Sequence, residues 1–221
     1  MRENEFNVQQ LLERVSTVQI ADGNPRVRAL VGRIVADLFK TIDENDVTPD
    51  EFWAATDWLS RLGTSGQLGL ITAGLGFDRL LDIKRDEADA RAGRAAGTPR
   101  AIEGPLYAMA PNSPTSELFD ALGRHGQRPA HVHFFVVAPG LRTLTTQISV
   151  PGDTFLDDDF AFATRDGLVI DLERISAPAG YESLGIDAGT PLARARFNFV
   201  MQKALSEDEA RPLTRMARVA G

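Results

Sequence analysis

Apolar residues recur at helical spacing through the first third of the chain. Val27, Leu30, Val31, Ile34, Val35, Leu38, Phe39 and Ile42 fall three or four apart and form one stripe. Asn24 followed by Pro25 supplies an N-cap and a first helical position. "TPDEFWAATDWLSRLG" opens on a capping box, with Thr48 as cap and Glu51 three residues later. Phe52, Ala55, Leu59 and Leu62 continue one face of it, and Gly63 is placed to end the helix. "GQLGLITAGLGFDRLLDI" is a third apolar segment. Its glycines at 69, 74 and 76 predict a broken helix or a close approach to something else. Residues 84–100, charged and rich in small side chains, read as a surface connection.

After residue 128 the period changes to two. "AHVHFFVV" is apolar on both faces, which predicts a strand covered on both sides. "APG" at 138–140 is a turn signal. "TLTTQISV" follows, with Thr143, Thr145, Gln147 and Ser149 on one face. "LVIDLE" at 168–173 and "ARARFNFVM" at 193–201 predict further strands. No βαβ rhythm is present, so the fold class is α+β, helices first and antiparallel strands after. The tail from Ser206 reads as loosely held.

Composition narrows the function. The 221 residues are 43% hydrophobic and 25% charged, ordinary for a globular protein. The net charge of −7 argues against nucleic acid as the main partner, since phosphate contacts need a basic surface. The absence of cysteine excludes disulfides, thiolate metal sites and a cysteine nucleophile. No stretch has membrane-spanning length and the first residues lack an apolar signal core, so the expected location is the cytoplasm.

The chemistry concentrates at "RPAHVHFF". In a strand, His131 and His133 point the same way, half of a metal site. The plainer reading, two strand histidines making hydrogen bonds, is the commoner fate of an isolated H-x-H. The apolar run around them favours partners over bare burial. Arg128, three residues before His131, either sets a fixed charge beside the site or makes a surface salt bridge worth little. Asp157, Asp158 and Asp159 read as solvated loop. Tyr107 and Tyr181 are the two tyrosines of the chain. From the residues alone, the reading ends at a two-histidine metal site on a β-sheet.

Several long stretches, in order, resemble the intradiol ring-cleavage dioxygenases of the catechol 1,2-dioxygenase type. They are "LGLITAGLGFDRLLDIKRDEADARAG", "GTPRAIEGPLY", "ALGRHGQRPAHVHFFVVAPGLRTLTTQISVPGD" and "DDFAFATRDGL". The resemblance implies a helical dimerisation domain over 1–96 and a β-sandwich catalytic domain over 97–221. It implies non-haem Fe(III), with His131 and His133 as metal ligands. Arg128 and Gln147 would stand beside the bound ring. Leu70, Ala73, Ile102, Pro105, Leu106, Phe160 and Ala161 would wall the substrate. The implied reaction takes catechol and O2 to cis,cis-muconate, by oxygen insertion between the hydroxyl-bearing carbons and hydrolysis of the resulting anhydride. The implied assembly is a homodimer through the N-terminal helices, which in the family enclose a phospholipid.

The chain departs from the family at one place. Family members carry several strands, with both tyrosine ligands, between "IEGPLY" and "RPAHVH". Here residues 108 to 127 are all that separates them, so the sandwich is expected to be incomplete. Neither Tyr107 nor Tyr181 matches a ligand position. Two other readings follow. One is a non-catalytic remnant that keeps helical dimerisation and lipid binding. The other is a two-histidine metalloprotein of different chemistry, whose imidazoles favour zinc or copper.

Overall fold

A computed structural model describes residues 7–17, 24–101 and 110–210. The described helices up to Arg91 are α1 (Val8–Thr17), α2 (Pro25–Glu44), α3 (Pro49–Ser65), α4 (Leu68–Gly74) and α5 (Phe77–Arg91). The Asn24 side chain accepts hydrogen bonds from the Arg26 and Val27 amides at 2.9 and 3.2 Å, capping α2 as expected. Thr48 and Glu51 close their capping box: the Thr48 amide donates to Glu51 at 2.9 Å and the Glu51 amide to Thr48 Oγ1 at 3.3 Å. Gly63 does not end α3. The helix runs on to Ser65, and Gly66 takes the left-handed turn at φ +72. The glycine-rich segment is broken, with Gly76 at φ +78 between α4 and α5.

The charged stretch after residue 84 is not a loose connection in its first half. It continues α5 to Arg91, and its acids face arginines from elsewhere in the chain. Asp89 lies 2.7 Å from Arg100 and 2.8 Å from Arg142, and Asp82, 2% exposed, pairs with Arg165 at 2.9 Å. Sequence reasoning treats such residues as solvated, because charge alone does not reveal which partner the fold delivers.

Contacts divide the chain into two compact units, Met1–Ser60 and Arg61–Gly221. In the first, α1 packs on α2. No residue of α2 is buried, and Val27, Leu30, Val31, Ile34 and Leu38 stay about half exposed. Among the described residues the second unit holds α6 (Pro114–Ala121), four strands, a 3-10 turn over Tyr181–Leu184 and α7 (Glu207–Ala210). Ser113 and Ser116 form a capping box at the start of α6. The strands make two antiparallel pairs: β1 (His131–Val136) with β2 (Leu144–Ser149), and β3 (Glu173–Ser176) with β4 (Pro191–Arg194).

These strands are shorter than the sequence predicts. Residues 168–172 make only a parallel bridge from Val169 to Ser149, and 195–201 follow β4 without a ladder. The tail is tied at Glu209, which pairs with Arg94 at 3.0 Å. Residues 211–221 lie outside the described residues.

Strand β2 is buried along its whole length. Its edge away from β1 is met by two segments. The Ala101 amide donates to Thr145 O, and Ser149 N donates to Leu168 O. Strand β1 is different. The expected cover on both faces is partial: Phe134 packs on Phe199 at 5.0 Å, while Val132 is 56%, Phe135 42% and the following Val137 54% exposed. Exposed apolar side chains on both faces of a strand leave room for further cover.

Candidate metal and substrate site

The register pairs His131 with Ser149 and His133 with Gln147. Val150 N donates to Ala130 O, so the bonded pairs of this ladder are the even positions of β1. His133 and Gln147 therefore form a non-bonded pair, the arrangement that brings side chains closest. The Nε2 atoms of His131 and His133 stand 3.2 Å apart, with the rings nearly perpendicular at 85°.

The partners fix the tautomer of His131. Its Nδ1 lies 2.6 Å from the Pro129 carbonyl, which only accepts, so Nδ1 carries the proton and Nε2 the lone pair. Arg128 Nη1 donates to that lone pair at 3.0 Å. The same guanidinium donates through Nη2 to Gln147 Oε1 at 2.7 Å and through Nε to Asp159 Oδ1 at 2.9 Å. One side chain thus joins His131, Gln147 and Asp159. It is no surface ion pair: the Arg128 and Asp159 side chains are 10% and 2% exposed.

Asp159 is the residue that sequence reasoning misses. It looks like the last of three solvated acids, yet it is buried and accepts from the Ala161 and Ala163 amides at 3.1 and 3.0 Å. Its neighbours in sequence, "FAFA", are the one signal that the chain turns inward there. Burial works to raise its pKa, but the Arg128 guanidinium and the two amides outweigh this and hold it below the ordinary carboxylate value. Burial pushes the pKa of His131 down, and Arg128 adds to the shift. His133 falls further, to about 4, through burial and then the His131 and Arg128 charges. Both imidazoles are therefore neutral near pH 7, as metal ligands must be. His125 is occupied elsewhere, with Nε2 2.9 Å from Asp158.

Of the expected substrate wall, Leu70, Ala73, Phe160 and Ala161 are each buried. Leu70 and Ala73 lie on α4, whose last residue, Gly74, sits against two rings. A Cβ there would overlap both Phe160 and Phe119. Phe160 meets Phe119 edge to face at 4.7 Å. Arg124 donates to the Gly74 carbonyl and lies over the Phe162 ring at 4.9 Å. Because Asp159 precedes Phe160 directly, the Arg128–Asp159 pair links the histidines to this wall. Ile102, Pro105, Leu106 and Tyr107 lie outside the described residues.

A metal–nitrogen distance of about 2.1 Å and the 3.2 Å separation subtend about 100° at an ion, which suits two neighbouring ligands of one metal. A ferric ion also needs hard, anionic oxygens. Among the described residues no group of three or more His, Asp or Glu side chains stands ready to hold a metal. Tyr181 sits on the 3-10 turn, 36% exposed. The described donors are two neutral imidazoles beside a guanidinium, and they do not by themselves fit a ferric ion.

Comparison with known proteins decides the family. The family profile described as "Catechol dioxygenase N terminus" matches residues 24–93, and the one described as "Dioxygenase" matches 96–203. A catechol 1,2-dioxygenase 2 of Acinetobacter lwoffii is 38% identical, over 75% of this chain and 92% of its own length. The chain belongs to the catechol dioxygenase family. A catechol 1,2-dioxygenase of Acinetobacter baylyi is 30% identical over 90% of this chain and 93% of its own. The crystal structure of catechol 1,2-dioxygenase from Pseudomonas arvilla C-1 is 32% identical and superposes with a TM-score of 0.82 over 96% of both chains.

Relative to these catechol dioxygenases the chain is internally shorter. The first alignment has 253 positions but takes in 75% of 221 residues, about 166; the second has 290 and takes in 90%, about 199. Each leaves about 90 positions of the relative without a counterpart here, by subtraction of those figures.

Proposed function

We propose that this chain is an intradiol dioxygenase of the catechol 1,2-dioxygenase type, consuming catechol and O2 to form cis,cis-muconate. The observation that carries the reading is the group Arg128, His131, His133 and Gln147. It is assembled on and beside one sheet pair inside a chain matched to the family over residues 24–93 and 96–203. His131 and His133 are the metal-binding pair, and the Pro129 carbonyl keeps the lone pair of His131 on Nε2. Arg128 and Gln147 hold the oxygen-rich side of a bound catechol, with Gln147 Nε2 buried and without a hydrogen-bond partner among the described residues. Leu70, Ala73, Phe160 and Ala161 form the apolar wall, continued by Ile102, Pro105 and Leu106. Fe(III) is the family's metal, and the described donors, two neutral imidazoles beside a guanidinium, fall short of it.

The same reading makes the protein a cytoplasmic homodimer. The unburied stripe of α2 supports pairing through the N-terminal helices and is apolar enough to hold a phospholipid chain. No helix of the described residues is long and apolar enough to cross a membrane.

A second reading is favoured by the missing positions and the two-imidazole donor set. In it the chain is a non-catalytic remnant that keeps helical dimerisation and lipid binding. Catechol-dependent O2 uptake by the iron-loaded protein separates the two.

A further inference from the structure

Arg124 joins the elements that carry the apolar wall. We infer that it is a positioning residue. It seats the C-terminal end of α4 on the phenylalanines around it, and so sets the width of the ring site and the size of ring substituent admitted. This rests on the catechol reading and adds to it a residue that acts through α4.

Local sequence places Arg124. Helix α6 closes on Gly123, which takes φ +65. The Gly123 amide donates to Asp120 O at 3.0 Å and the Arg124 amide to Phe119 O at 2.8 Å. This pair of bonds around a left-handed glycine is a standard helix ending, and it fixes Arg124 beside Phe119. Phe160 N donates to Gln127 O at 3.1 Å, which ties the stretch after Arg124 to the segment carrying Phe160 and Phe162.

From there the guanidinium serves two partners. Nη1 donates to the carbonyl of Gly74, the last residue of α4, where a cation suits the open carbonyls of a helix end. The guanidinium carbon stands over the rings of Phe162, Phe119 and Phe160 at 4.9, 5.6 and 5.8 Å, each within reach of a cation–π contact. Phe162 takes φ +51, a left-handed backbone that a bulky residue rarely adopts. Such outliers persist where the surroundings hold them, and they cluster at functional sites. The Phe162 ring lies against Gly76, where a Cβ would stand 3.6 Å from it, and Gly74 has no room for a Cβ beside Phe160 and Phe119. The end of α4 thus meets the rings with no side chain of its own between them, and Arg124 is the polar link across that contact. Leu70 and Ala73 belong to α4, and Phe160 and Ala161 to the segment it is seated on. The contact that Arg124 closes therefore sets the separation of the two parts of the wall.

The test compares Arg124→Met and Arg124→Lys with the unmodified whole protein. It uses amide hydrogen exchange, and O2 uptake by iron-loaded samples with catechol and with 4-methylcatechol. Methionine keeps an apolar stem and loses donor and charge, whereas lysine keeps both without the planar face. The Leu75 and Gly76 amides close α4 on Ile71 O and Ala73 O, both at 2.9 Å. Arg124→Met should speed their exchange by roughly tenfold and leave the amides of β2 unchanged. It should raise KM for catechol at nearly constant kcat. It should also raise kcat/KM for 4-methylcatechol relative to catechol by roughly tenfold, the scale of one methyl group in an apolar pocket. Arg124→Lys should recover most of the protection and most of the catechol preference. Faster exchange throughout the Arg124→Met protein would show general stabilisation only and overturn the inference. Unchanged exchange at Leu75 and Gly76 overturns it too, as does an unchanged substrate ratio in a sample that turns over catechol. A chain that consumes no O2 before substitution sinks the catechol reading instead, and exchange at Leu75 and Gly76 then decides the seating of α4 by itself.

Discussion

Arg128 and Asp159 are joined by two hydrogen bonds, Nε to Oδ1 at 2.9 Å and Nη2 to Oδ2 at 3.2 Å, across 31 residues of sequence. The pair is almost wholly buried, and its remaining atoms are used: Arg128 reaches His131 and Gln147, and Asp159 accepts from two amides. It positions the histidine pair against the segment that carries Phe160. Removing one partner leaves a buried charge uncompensated, the costly way to break such a pair. Asp159→Ala is expected to lower stability by about 3–5 kcal/mol in urea unfolding. Asp159→Asn keeps the shape and two acceptor lone pairs but leaves the Arg128 guanidinium equally uncompensated, and should cost nearly as much. A clearly smaller loss for Asp159→Asn would contradict a role based on charge.

Gly74 makes a second, independent prediction. Its Cα faces Phe160 and Phe119 with no room for a side chain. Gly74→Ala should displace one ring and destabilise the protein by about 1–3 kcal/mol, despite the better helix propensity of alanine. Phe119→Leu in the same background should recover part of the loss by opening space. A neutral Gly74→Ala would mean that α4 does not seat against Phe160.

The helical half is legible because its signals are local. The stripe of α2, the cap at Asn24 and the box at Thr48 need only neighbours within one turn, and each forms as read. The histidine pair is legible for the same reason, since alternation alone places both rings on one face. Asp159 and the acids of α5 are not. Their pairing depends on arginines 11 to 83 residues away, and nothing in a run of acids says which one turns inward. The strand ends at 168–172 and 195–201 are misjudged because alternation predicts a strand only where a neighbour exists to pair with it. The exposed Val132 and Phe135 of β1 depart from the pattern in the same way: it predicts cover on both faces that is only partial among the described residues.

Acid should unfold the metal-free protein through its histidines. His133 has a folded pKa of about 4 against an ordinary 6.5, because burial and the neighbouring His131 and Arg128 disfavour the charged ring. The unfolded chain therefore binds a proton that the folded one refuses. Stability is full above about pH 6.5, falls as the pH drops, and levels off below about 4 for this group. His131 shifts in the same direction and adds to the slope. Urea midpoints measured across that window should show the decline, and His133→Gln should flatten it. A midpoint independent of pH between 6.5 and 4 would contradict the buried, neutral assignment.

The proposed intradiol ring cleavage has to operate without about 90 positions of the relatives, the difference between the aligned lengths and the share of this chain in them. O2 uptake by the purified, iron-loaded protein with catechol present, with muconate quantified in the same sample, tests it. One cis,cis-muconate per O2 consumed is expected, abolished by His131→Ala, at a rate well below that of the relatives, since the two imidazoles are the metal donors brought together among the described residues. A folded, iron-loaded sample that consumes no O2 would contradict the proposed function and leave the chain a dimerising remnant of an enzyme.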